Sequence, residues 1–178
     1  MTHTLTMALP ARHARSELDV EALYRACRDD VYAYVASMLR DAAAAEDVTA
    51  AAFERAFRRR ATYRAGRGSE RAWLYGIARN AALDELRHRK RSTALAGEVV
   101  DPAAIDPQVG AEAAVRRVAV RDAIAGLEPR DRELIALKFF AGLSNAELAA
   151  VVGVSESNAG TLLHRAVQRL RKACHETS

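Results

Sequence analysis

An all-α fold, two small helical domains joined by a flexible acidic linker, is predicted by three observations. Alanine, leucine, arginine and glutamate dominate the 178 residues, and all four favour helix. Aromatic residues make up only 6%, too few for a large β-sandwich or barrel. Charge falls in alternating blocks: net −3 over 1–53, +8 over 54–91, −4 over 92–115 and +3 over 116–178. This alternation marks two basic units and an acidic tether, and basic units suit polyanions, although arginine-rich helices also keep a small protein soluble. Setting aside 39 alanines leaves about 50 larger apolar residues, enough for one modest core or two small ones.

Residues 1–15 lack a periodic apolar pattern and are expected to be a disordered leader. They hold no apolar signal core, and no apolar run approaches the roughly 18 residues that span a bilayer. A cytoplasmic protein without membrane insertion is therefore expected. The first domain is assigned to 16–91. Ser16 is the expected N-cap of its first helix, with Asp19 at the capping-box distance. Val20, Leu23, Tyr24, Cys27, Val31, Tyr34, Val35 and Met38 follow at three- and four-residue steps, one buried face ending near Leu39. Asp41 can cap a second helix with the stripe Ala45, Val48, Ala52, Phe53 and Ala56. Residues 62–68 hold two glycines and predict a loop. Ser69 restarts a helix whose inner face carries Trp73, Ile77 and Ala81, with Asp84 at the end of the same stripe and Trp73 expected in the core. That helix ends in the basic run Arg87-His88-Arg89-Lys90-Arg91.

Residues 92–115 contain two of the four prolines, two glycines and four acids without a base, a linker composition. The second domain is assigned to 116–174. Val115, Val118, Ala119 and Leu127 suggest a helix that stops before Pro129, and Pro129 suits the first turn of the next, which runs to Phe140. Gly142 gives a stop signal. Ser144 and Glu147 then form a capping box, Gly153 suits a tight turn, and Ser155 can cap a last helix with Ala159, Leu162, Leu163, Ala166 and Leu170 inward. This is the layout of a helix-turn-helix, whose second helix enters the DNA major groove by its N-terminal end. An ordinary helical hairpin carries the same caps. The small inner residues and the polar outer positions Ser155, Ser157, Asn158 and Thr161 favour DNA.

Two groups of residues carry a family resemblance. The first is Ala45-Glu46-Asp47-Val48-Thr49 to Phe53, then Trp73-Leu74-Tyr75-Gly76-Ile77-Ala78-Arg79-Asn80, Asp84 and Arg87. The second is Leu127-Glu128-Pro129-Arg130-Asp131-Arg132-Glu133, then Glu147-Leu148-Ala149 and Leu163-His164-Arg165-Ala166. Through them residues 18–172 resemble a bacterial RNA polymerase sigma factor of the sigma-70 family, extracytoplasmic function (ECF) subfamily. The resemblance implies a non-catalytic initiation subunit that selects and melts promoters, usually restrained by a cognate anti-sigma factor. Its region 2, here 16–91, would hold the β′ clamp helices of core RNA polymerase through Glu46, Asp47, Val48 and Phe53. The same domain would bind the promoter −10 element through Tyr63, Arg64, Arg79, Asn80, Asp84 and Arg87, with the loop 62–69 helping to capture an extruded base. Its region 4, here 116–174, would bind the β flap, and the −35 element through Ser155, Ser157, Asn158, Thr161, His164 and Arg165. The linker would thread the polymerase active-site cleft; a plain flexible spacer has the same composition.

Asn80, Asp84 and Arg87 share one helix face, where they can meet bases and phosphates; Asp84 can equally pair with Arg87 or Arg79. Two positions depart from the family pattern. Ala50 stands where a glutamine is common, and Ala159-Gly160-Thr161-Leu162 replaces a common Val-Lys-Ser-Arg run. Gly160 costs about 1 kcal/mol against alanine within a helix and is expected to let the backbone approach DNA. No cofactor or metal is expected, because His3, His13, His88, His164 and His175 form no ligand spacing. An effector-controlled helix-turn-helix regulator would need a dimer interface or effector pocket, and the sequence shows neither.

Overall fold

The structure, a computed structural model, describes residues 18–96 and 120–176. Helix α1 is Val20–Leu39, α2 Ala42–Arg59 and α3 Glu70–Ala96. Residues 120–126 form α4, followed by α5 Pro129–Phe139, α6 Asn145–Val152 and α7 Glu156–Glu176. No strand occurs among the described residues. The leader, most of the linker and Ser16 lie outside them, and α3 continues five residues past Arg91 to Ala96.

Local chemistry sets the helix ends. Asp19, and not Ser16, caps α1: its carboxylate accepts from the Ala22 N–H at 3.0 Å. Asp41 caps α2 by accepting from the Ala44 N–H at 3.0 Å. Ser69 Oγ accepts from the Ala72 N–H at 3.1 Å and starts α3. Ser144 and Glu147 close the expected capping box on α6, and Ser155 Oγ accepts from Asn158 N–H to start α7. Gly153 ends α6 at φ 77°, in the left-handed region open to glycine at little cost.

Helices α1, α2 and α3 pack around one core. Val31, Tyr34 and Val35 of α1 meet Ala45, Ala52 and Ala56 of α2 and Leu74, Tyr75, Ala78 and Ala82 of α3. The alanine stripe of α2 lets its neighbours approach closely, and Tyr34 meets Tyr75 edge to face at 5.4 Å. Cys27 is buried here as a small core residue. Tyr24, expected on the buried face, is instead 44% exposed and covers Phe53 edge-on.

In the second domain α5 is the axle, packed on α6 and α7. Its run Asp131-Arg132-Glu133 is buried, and each charge faces a different element. Asp131 pairs with Arg169 of α7. The Arg132 guanidinium donates to the carbonyls of Ile124, Ala125 and Leu127, closing the C-terminal end of α4. Glu133 leaves its own domain and pairs with Arg79 of α3.

The two helical units are thus in contact across α1–α5 and α3–α6. Arg71 of α3 reinforces the seam. It binds Asp30 at 2.5 Å and Cys27 Sγ at 3.3 Å, and donates to the carbonyls of Phe140 and Ala141 just beyond α5. The sequence signals no such seam.

Gly160 lies in the first turns of α7 beside α6. A Cβ there would meet Asn145 Nδ2 of α6 at 3.8 Å, an ordinary contact, so the position has room for a methyl group. Gly160→Ala should therefore raise stability by about 0.5–1 kcal/mol through the helix preference. Gly153→Ala, where nothing lies within 4 Å of the added Cβ, should lower it by about 1–2 kcal/mol through backbone strain alone. Urea unfolding followed by circular dichroism measures both.

Candidate nucleic-acid interface

Along α3 the side chains divide by face. Asn80, Asp84 and Arg87 are exposed on one side. Asp84 pairs with Arg87 at 3.0 Å and Arg55 at 3.6 Å, so it orders two guanidinium groups on the surface of a strongly basic block. Such exposed pairs exchange partners at little energetic cost and can yield to phosphate. Arg79, one position from Asn80, turns the other way. Its Nε binds Glu133 Oε1 at 2.5 Å, with the two side chains only 23% and 10% exposed. Arg79 is therefore not gathered with the other three. Glu133 also reaches the first core: the buried Tyr34 phenol has its pKa pushed well up, by burial first and then by the Glu133 charge.

The loop before α3 makes two 3₁₀ turns, Arg60–Thr62 and Ala65–Arg67. Tyr63 packs edge-on against Trp73 at 5.8 Å and donates its hydroxyl to the Gly68 carbonyl at 3.1 Å. Arg64 bonds the carbonyls of Ala61 and Tyr63, which braces the loop. Between this loop and α3 lies a cavity of about 620 Å³. Tyr63, Trp73, Ile77 and Asn80 form one wall, and Glu147 and Ala150 of α6 stand opposite. Trp73, expected in the core, is half-buried on this wall; the side of α3 that fills the core carries Leu74, Tyr75, Ala78 and Ala82. An aromatic pair beside an amide and several arginines can stack an unpaired base and hold its phosphate.

On α7 the exposed face holds Ser157, Asn158, Thr161, His164 and Arg165 together, at the N-terminal half of the helix. Ala159 and Ala166 are buried against α5 and α6, which fixes that orientation. Ser155 is exposed but its hydroxyl is used as the cap, and Thr161 donates to the Ser157 carbonyl at 3.1 Å. Asn158, His164 and Arg165 project from the face without such local ties.

The α2 candidates separate. Glu46 and Asp47 are exposed, whereas Val48 and Phe53 are buried in the first core. They belong to the packing stripe and support the α2 surface from beneath, with 8% and 6% of their area exposed. Phe57, one position off the apolar stripe, is 56% exposed, with the Arg60 guanidinium 4.3 Å above its ring.

Among the described residues no group of three or more His, Cys, Asp and Glu side chains could hold a metal ion, and no helix is long and apolar enough to cross a membrane.

Comparison with known proteins places these surfaces in a family. Residues 23–92 match the Sigma-70 region 2 family, and residues 117–170 match the Sigma-70 region 4 family. The ECF RNA polymerase sigma factor BldN of Streptomyces coelicolor is 35% identical over 93% of this chain, which spans 64% of BldN. CarQ of Myxococcus xanthus, an RNA polymerase sigma factor, is 34% identical over 82% of this chain and 83% of its own. The ECF RNA polymerase sigma factor SigL of Mycobacterium tuberculosis is 31% identical over 87% and 90% of the two chains. In fold the chain is similar to the sigma factor RpoE of Bartonella quintana, solved with the anti-sigma factor NepR. The TM-score is 0.77 at 24% identity, over 87% of this chain and 96% of RpoE. With two family matches in the same order as its two helical units, and full-length relatives above 30% identity, the chain belongs to the ECF subfamily of sigma-70 RNA polymerase sigma factors.

Proposed function

We propose that this chain directs core RNA polymerase to promoters in the cytoplasm by dividing the reading of DNA between its two domains. In this division α7 reads the −35 element as duplex in the major groove. The cavity between the loop 62–69 and α3 holds an unstacked base of the −10 element, with Tyr63, Trp73 and Asn80 around the base and Arg64 and Arg87 toward the backbone. Arg79 joins them only when released from Glu133. The observation that carries this reading is the pairing of an aromatic-walled cavity on one domain with an exposed, polar helix N-terminus on the other. A free duplex offers no unpaired base to the cavity, so each domain alone has only part of a site.

The exposed acids Glu46 and Asp47 of α2, with Phe57 beside them, are assigned to the polymerase, where acid and aromatic area suit a basic protein surface. Residues 16–91 serve as region 2 and 116–174 as region 4, with 92–115 as the acidic tether between them. A cognate anti-sigma factor is assigned as the regulator, in keeping with the relative solved as such a complex.

The functional test is footprinting at physiological salt. The purified chain should protect promoter duplex poorly, and protection of both elements should appear on adding core polymerase; nanomolar protection of both by the chain alone contradicts the division. Within the complex, Asn158→Ala should weaken −35 binding by about 1–3 kcal/mol while leaving strand opening of bound promoter nearly intact. Asn80→Ala should leave closed-complex binding unchanged but lower permanganate reactivity of −10 thymines. Opening that falls only in proportion to binding for both variants refutes these assignments.

Asp47→Ala should weaken association with core polymerase in a pull-down without changing the unfolding curve. Phe53→Ala should instead cost about 3–5 kcal/mol of stability, because it empties a packed site.

A further inference from the structure

The C-terminal half of α3 carries two opposite arrangements of charge. Arg89 binds two carboxylates, Glu85 of its own helix at 2.7 Å and the α2 cap Asp41 at 3.0 Å, and all three side chains are between 22% and 29% exposed. That cation is already neutralised, and it braces α3 against the start of α2. At Asp84 the ratio is reversed. One carboxylate is shared by two guanidinium groups, Arg87 at 3.0 Å and Arg55 of α2 at 3.6 Å, and Asp84, Arg87 and Arg55 are 57%, 68% and 45% exposed. Two cations against one anion leave this triad a net +1, in water, where ion pairs exchange partners at little cost. Other arginines near Arg55 are engaged elsewhere: Arg58 pairs with Glu54, and Arg60 sits over Phe57 and donates to its carbonyl. Asn80 stands one turn before Asp84 on the same exposed face, and Arg87 lies about 10 Å along the axis from it. Phosphates next to a base held at Asn80 therefore fall within reach of the triad.

We propose that Arg55 is a phosphate contact for the −10 strand supplied by α2, and that Asp84 is its built-in counter-charge and not a DNA contact. The proposal rests on the −10 role assigned to this face of α3. Asp84 holds Arg55 and Arg87 side by side across two helices before DNA arrives, which positions them. It also limits their grip, because the carboxylate stays beside any phosphate that displaces it. The triad then neutralises about one phosphate where two free arginines would neutralise two. Phosphate contacts carry no sequence information, so the counter-charge weakens the hold on every strand alike and leaves choice to base contacts such as that of Asn80.

The test uses the chain reconstituted with core polymerase. Fluorescence anisotropy reads binding of a labelled single-stranded −10 oligonucleotide, and of a scrambled one, across a salt series. Each phosphate neutralised on a single strand adds about 0.7 to the slope of log affinity against log salt. Asp84→Asn should tighten both strands by the same factor, about threefold, and steepen the slope by about 0.7. Arg55→Gln should weaken both strands and flatten the slope by about 0.7. The double variant Asp84→Asn/Arg55→Gln restores the net +1 and should return affinity and slope to near wild type, a rescue that a merely structural ion pair would not give. An Asp84→Asn chain that binds no more tightly, or that loses its preference for the −10 strand over the scrambled one, overturns the counter-charge. Unchanged affinity and slope in Arg55→Gln overturn the α2 contact. Asn80→Ala separates the two levels: it should erase the preference between the strands, and a preference that survives it overturns the −10 role of this face and the proposal with it.

Discussion

The pair of Arg79 and Glu133 joins residues 54 apart in sequence and fixes how the two helical units meet. Both side chains are largely withdrawn from water, so separating them strands two charges unless something else solvates them. In fully buried pairs, loss of one partner costs about 3–5 kcal/mol, whereas replacing both by apolar groups is often neutral. Such a contact adds little to net stability but strongly favours one arrangement over its neighbours. Arg71 works in the same way beside it, and its four bonds run to α1 and to the chain leaving α5. The seam therefore combines these polar contacts with an apolar cluster that continues from one helical unit into the other.

The second domain depends on the same segment. Asp131, Arg132 and Glu133 are consecutive, yet they serve α7, the end of α4 and α3 of the other domain. A helix turns about 100° per residue, so three adjacent side chains point in three directions, and a run of charge at the start of α5 can organise three neighbours at once. This placement couples the fold of the helix-turn-helix to its contact with the first domain. The α7 orientation set by Ala159 and Ala166, and the α6 orientation set by Leu148 and Ala149, are both referred back to α5.

Features with short sequence range were legible in advance. The caps Asp41, Ser69, Ser144 with Glu147 and Ser155, and the left-handed turn at Gly153, each join residues within five positions. The α2 stripe and the exposed polar face of α7 follow from periodicity alone. Legibility failed where partners are remote or a helix is apolar on two sides. Nothing in the sequence links Arg79 to Glu133 or Ser69 to Glu147, 78 positions apart. Ile77 and Ala81 are buried as their stripe predicts, but Trp73 at its start is only half-buried, because α3 carries a second stripe through Leu74, Tyr75 and Ala78 that takes the centre of the core. The start of α1 lies one turn later than expected, because Asp19, read as the far end of a capping box, is itself the residue that bonds the Ala22 N–H. Val48 and Phe53, expected among partner contacts through the motif, also lie on the α2 packing stripe.

Promoter choice by a divided reader is tested most directly by run-off transcription from a promoter library randomised across both elements, with core polymerase alone and with the chain added. Division of the reading between α7 and the α3 cavity predicts transcripts that appear only with the chain. They should begin at a fixed distance downstream of two separate sequence preferences, and changing either element alone should abolish them. Transcripts that depend on one element only, or that are the same with and without the chain, would contradict it.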